Sequence, residues 1–110
     1  MALHNITTRK EFEDKVLHSN KVVLVDFWAA WCPPCRAMAS SLHDIADELD
    51  DVLDVVKINL EEGDENKSLA GEYEVQSIPN MPIFQNGKEV ERIIGMVPKS
   101  YMKEVVTKLT

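Results

Sequence analysis

Apolar positions fall in two rhythms along this chain. In KVVLVDFW (residues 21–28) and VLDVVKINL (residues 52–60) they run almost unbroken and are rich in β-branched side chains, the pattern of strands buried on both faces. Between these runs Met38, Leu42, Ile45, Ala46 and Leu49 recur at helical spacing, which predicts a helix ending near Asp50. TRKE (residues 8–11) has the form of a capping box and opens a first helix through Leu17, with Phe12 and Val16 turned inward. HNI, around residue 5, reads as a weak first strand. Residues 61–65 are polar, include Gly63 and predict a loop, after which a short helix passes through Leu69 and Ala70 to about Tyr73. MPIFQNGKEVERIIG (residues 81–95) predicts a hairpin turning at Asn86-Gly87, with Val90, Ile93 and Ile94 carrying the apolar faces of its return strand. A last helix is predicted from Pro98 to Leu109 on Tyr101, Met102, Val105, Val106 and Leu109. The order β-α-β-α-β-α-β-β-α predicts an α/β fold, a mixed sheet with helices on both sides. With no repeat, low-complexity tract or linker, residues 1–110 are expected to form a single domain.

Composition narrows the class of partner. The chain carries 19 acidic against 12 basic residues, a net charge of −7, which speaks against nucleic acid or an anionic membrane surface. No apolar run approaches the length that spans a bilayer. The opening residues have no apolar stretch behind a basic one, so no signal peptide is expected and a reducing, cytoplasmic setting is.

The candidate chemistry lies in WCPPC, residues 31–35, which holds both cysteines of the chain. A structural zinc site calls for four ligands, and here a single pair stands without paired histidines: His4, His18 and His43 share no suitable spacing. A structural disulfide would close a loop too short to constrain much chain. The remaining reading is a dithiol that cycles. Cys32 is expected at the N-cap of the helix that follows the first buried strand, where first-turn amides and the helix dipole favour a thiolate. Cys35 then falls one turn inside, within reach of Cys32 and away from solvent. Pro33 and Pro34 suit a first helical turn. Asp26 lies mid-strand among apolar residues, where a buried carboxylate has its pKa raised. Lys57 lies in the other buried run and is expected to pair with Asp26 across neighbouring strands. Trp28 is expected to brace the loop from beneath, and Trp31, ahead of the nucleophile, to meet a partner.

These residues resemble the thioredoxin family. VDFWAAWCPPCRAMA matches its active-site segment, with Asp26, Trp28, Trp31, Cys32, Pro34 and Cys35 in place; VVKIN carries Lys57, YEVQSIP carries Ile78-Pro79, and FQNGKEV with Gly95 completes the match. The resemblance implies a thioredoxin-like fold, a central mixed five-stranded sheet flanked by four helices. It implies a thiol-disulfide oxidoreductase that reduces protein disulfides, with Cys32 as nucleophile, Cys35 resolving and Asp26 handling protons, supported by Lys57, Pro33, Pro34 and Pro79. A cis Ile78-Pro79 bond would present Ile78 to a substrate strand, and Trp31, Gly95 and Met96 would complete a substrate groove. No bound cofactor or metal is expected, since the dithiol carries the electrons. The implied partners are a thioredoxin reductase as electron source and oxidised proteins as substrates, with the chain acting as a monomer.

The chain departs from the family pattern at four places. Pro33 replaces a glycine, and a residue preceding proline is pushed away from helical dihedrals. Ser40 replaces a helix-kinking proline, Asn80 a threonine, and Pro82 falls inside a central strand, where it also makes Met81-Pro82 a rival for the cis bond. The alternative readings are a disulfide oxidase or isomerase, a binding module of this fold with incidental thiols, and a metal-linked dimer.

Overall fold

The computed structural model describes residues 2–110. Its elements run β1 (Leu3–Ile6), α1 (Arg9–Phe12), β2 (Val22–Trp28), α2 (Pro33–Glu48), β3 (Leu53–Asn59), α3 (Asp64–Glu72), β4 (Asn80–Gln85), β5 (Lys88–Ile94) and α4 (Lys99–Leu109). The strand order is β1-β3-β2-β4-β5: β1, β3 and β2 are mutually parallel, while β4 runs antiparallel to β2, and β5 to β4. This is the mixed five-stranded sheet of a thioredoxin-like α/β fold.

Side chains of β2 and β3 alternate between two cores, as a strand's period of two requires. Leu24, Leu53, Val55, Met81 and Ile83 meet Met38, Leu42 and Ile45 of α2 and Met102 and Val106 of α4. On the opposite face Val23, Val25, Phe27, Val56, Ile58 and Phe84 meet Phe12 and Val16 of the first helical segment and Leu69 of α3. Both faces being covered is why the two central runs read as continuously apolar.

The first helix is capped as its sequence predicts. Thr8 Oγ1 accepts from the Glu11 amide and Glu11 Oε1 accepts from the Thr8 amide, both at 3.2 Å; such a cap is worth about 1 kcal/mol. The helix reaches Leu17, but with π geometry from Glu13 to Leu17. The predicted loop at residues 61–65 is shorter than expected: α3 begins at Asp64, with Asp64 and Glu65 in the first turn, where acidic side chains suit the helix dipole. In β5 only Ile93 is buried, while Val90 and Ile94 are exposed. Ile93 joins the α2 core and its neighbour Ile94 therefore points to the other face, while the register shift between Ile83 and Phe84 leaves Val90 without a partner in β4. Tyr101 of α4 is likewise half exposed. Pro82 is accommodated inside β4: it pairs with Arg92 on the β5 side, and the β2–β4 register lapses at Met81 and Pro82, where proline brings no N–H.

Candidate active site

The two cysteines lie where β2 gives way to α2. Cys32 is the N-cap of α2 in extended backbone, and Pro33 and Pro34 occupy the first helical positions despite the strain expected of a residue before proline. α2 continues through Ser40 as one helix to Glu48. Neither proline has an N–H to offer, so the first amide that can serve the cap is that of Cys35. It donates to Cys32 Sγ at 3.2 Å. The structure holds the pair as the Cys32–Cys35 disulfide, Cα atoms 5.2 Å apart, the oxidised state of a dithiol. Both cysteines are 3% exposed in this state, and they form a small cluster with Ala29 against which Trp28 and Ile78 pack. Trp28 thus braces the loop, as expected. The turn ahead of Cys32 is tied down by Arg36, whose Nη1 donates to the Ala30 carbonyl at 2.7 Å.

Asp26 is 1% exposed, on the sheet face it shares with Leu24, which α2 covers. Among the described residues nothing hydrogen-bonds its Oδ1. Burial pushes its pKa up to about 7, and the positive charge of Lys57 pulls the other way. Lys57 is its partner in the β2–β3 register, but the expected ion pair does not form. The Lys57 ammonium lies instead over the Trp28 ring, 4.5 Å from its centroid, an arrangement that holds a cation against an aromatic face.

The Ile78-Pro79 bond is cis, and it is the one cis peptide among the described residues, so Met81-Pro82 is not. Cys32 Sγ lies 3.8 Å from the Ile78 carbonyl oxygen. A groove of about 400 Å³ runs beside the disulfide, lined by Trp31, Cys32, Pro33 and Pro34 on one side and by Leu60 and residues 75–78 on the other. Trp31 is 64% exposed at its rim. Gly95 adjoins the cis-proline, its amide donating to the Pro79 carbonyl at 2.9 Å. Met96 does not form the far wall that the sequence suggested. It is 61% exposed and borders a separate hollow with Ala37, Met38 and Ser41, because the chain turns away after Gly95 toward α4. The groove wall of Leu60, Val75, Gln76 and Ser77 was not foreseen, since residue types so ordinary carry no chemical signal in sequence.

The family model described as Thioredoxin matches residues 4–108. The chain belongs to the thioredoxin family. Among its relatives it is 49% identical to the thioredoxin of Griffithsia pacifica over 88 residues, which is 80% of this chain and 78% of that one. It is 41% identical to thioredoxin 1 of Synechococcus elongatus over 98% of both chains, and 46% identical to the chloroplastic M-type thioredoxin of Chlamydomonas reinhardtii over 88% of this chain and 67% of that one. As a thioredoxin-family protein with its CxxC pair at disulfide distance, the chain is a thiol-disulfide oxidoreductase, and its reaction is reduction of protein disulfides. Its redox-active centre is that disulfide. No helix among the described residues is long and apolar enough to cross a membrane.

Proposed function

We propose that the electrons reach substrate in two steps, with Cys32 attacking and Cys35 resolving. In the dithiol form the Cys32 thiolate attacks one sulfur of a substrate disulfide, forming a mixed disulfide and releasing the first substrate thiolate, which takes up a proton. The Cys35 thiol gives its proton to Asp26 and attacks Cys32 Sγ. The mixed disulfide breaks, the second substrate thiolate leaves, and the Cys32–Cys35 disulfide is restored with two electrons transferred.

The observation that carries this assignment is the Cys35 amide at 3.2 Å from Cys32 Sγ at the N-cap of α2. A hydrogen-bond donor and the positive end of a helix dipole there favour the thiolate of Cys32 over that of Cys35. Asp26 supports the proton step, because a carboxyl near 7 can take a proton at neutral pH and pass it on. Burial raises that value, and Lys57, from its place on Trp28, pulls it part of the way back. A substrate strand lies in the groove along Trp31, Ile78 and Pro79, with Gly95 behind. The amides of residues 76–78 make no backbone hydrogen bond among the described residues, and so are open to an added strand.

A thioredoxin reductase supplies the electrons, oxidised proteins receive them, and the chain works as a single-domain monomer in a reducing cytoplasm without metal or added cofactor. Reduction of insulin with dithiothreitol as electron source tests the assignment: Cys32→Ser abolishes the catalysed rate, and a variant that kept it would transfer the nucleophile's role elsewhere.

A further inference from the structure

Arg92 of β5 is a charged residue on an edge strand, yet its guanidinium reaches two other parts of the fold as well as Glu89 on its own strand. Nη1 donates to the Tyr73 carbonyl at 2.8 Å and to Asn80 Oδ1 at 3.3 Å. Nε and Nη2 donate to the two carboxylate oxygens of Glu89 at 2.8 and 2.7 Å, a bidentate pair that fixes the plane of the fork. Tyr73 closes α3, and Asn80, 2% exposed, follows the cis-proline. The two acceptors therefore flank residues 74–79, the stretch that supplies the groove wall and the Ile78 carbonyl beside Cys32.

Elsewhere that stretch is tied by the Glu74 and Val75 amides to the end of α3, by the Pro79 carbonyl to the Gly95 amide, and by Val75 and Ile78 packing on the core, but among the described residues its middle has no backbone bond of its own. Glu74 is in the left-handed region at φ 56°, and residues 76–78 donate no backbone hydrogen bond among the described residues. With no backbone bond from residues 76–78, the shape of the open middle depends on that packing and on how its two ends are held. We infer that Arg92 is a positioning residue for substrate, gripping both ends of the 74–79 segment so that its open backbone is already in place when a protein disulfide docks. The inference rests on the reading of this groove as the substrate site. Asn80 is part of the device: it stands where the family commonly has threonine, and its carboxamide oxygen reaches the guanidinium.

Lysine cannot replace arginine here, because a single ammonium has no planar fork to serve Glu89 and the two groove acceptors together. The test is insulin reduction at varied insulin concentration with Arg92→Lys, alongside amide hydrogen exchange. The expected result is a KM raised about three- to tenfold with kcat held within about twofold, as for lost pre-organisation of binding. Amides of residues 74–78 should exchange at least about tenfold faster while those of β2 and β3 keep their protection. An unchanged KM would overturn the inference, and so would protection lost equally throughout the sheet, which would make Arg92 a general stabiliser. Ser77→Trp, which fills the groove from an exposed position, separates the two layers of the argument. If it raises KM and Arg92→Lys does not, the clamp alone fails; if neither raises KM, the groove reading fails and the clamp with it.

Discussion

Asp26 and Lys57 face each other in the register of β2 and β3, yet the lysine's ammonium rests on the ring of Trp28, 4.5 Å from its centroid. Trp28 lies two residues beyond Asp26 on the same strand face, so one cation serves both: it binds the aromatic ring and acts on the carboxyl through space. A direct ion pair would have kept Asp26 ionised. Without one, burial dominates and the carboxyl is pushed up to about 7.

The first prediction is a pH-dependent stability. In the unfolded chain Asp26 ionises near its ordinary value of 3.8; in the folded chain it keeps its proton until about 7. The native state thus binds the extra proton between these values, and its stability falls as pH rises through that window, then levels off. The penalty above pH 8 is about 4 kcal/mol. Asp26→Asn removes it. The variant's advantage in chemical denaturation should grow from near zero at pH 4 to about 2–4 kcal/mol at pH 8, while its disulfide-reduction rate at neutral pH falls. A constant difference across pH would mean that Asp26 titrates normally.

Lys57→Met should move the same titration further. The positive charge lowers the Asp26 pKa, so removing it raises the value above 7. Following the Asp26 carboxyl carbon by NMR through a pH titration checks this. A midpoint that stays in place would show that the cation over Trp28 does not reach the carboxyl.

Pro33→Gly tests which amide serves Cys32. The donor at 3.2 Å belongs to Cys35; an N-cap side chain is served chiefly by the amides two and three residues on, of which residue 34 is proline with no N–H, and residue 33 stands one short of both. The glycine variant should therefore keep the Cys32 pKa within about one unit of the parent, as read by thiolate absorbance. A larger shift would make the residue 33 amide a principal partner of the thiolate.

Gly87→Ala should destabilise the fold. Asn86 and Gly87 have φ of 55° and 78°, the conformation of a tight hairpin turn, and a Cβ at Gly87 would lie 2.8 Å from the Leu17 carbonyl oxygen. Strain and the backbone clash together should cost about 1–3 kcal/mol, read by thermal or denaturant unfolding. Unchanged stability would mean that the hairpin can withdraw from the end of the π-helical segment at no cost.

The legible parts of this protein are those with local causes. Thr8 and Glu11 announce a helix start, the runs around Val25 and Val56 announce buried strands, Asn86-Gly87 announces a turn, and two cysteines flanking two prolines announce a helix-capping dithiol. Asp26 could be picked out because a lone carboxylate in an apolar strand is conspicuous. The α3 start at Asp64 was missed although acidic residues after a glycine are a local cue. Other features have no local cue at all. Whether Val90 is buried depends on a register shift in the neighbouring strand. Whether Lys57 meets Asp26 or Trp28 depends on where its long side chain ends after crossing from β3. Arg92 reads as a surface charge beside Glu89 because its other two acceptors, on Tyr73 and Asn80, reach it only in the folded chain.

The two-step mechanism is most directly tested by Cys35→Ser. The Cys32 thiolate remains competent to attack, but no second thiol can break the mixed disulfide. Incubating the reduced variant with oxidised insulin and analysing the products by mass spectrometry without reductant should show a covalent adduct through Cys32, dissolved by dithiothreitol. A variant whose Cys32 alkylates readily but which forms no such adduct would contradict the account.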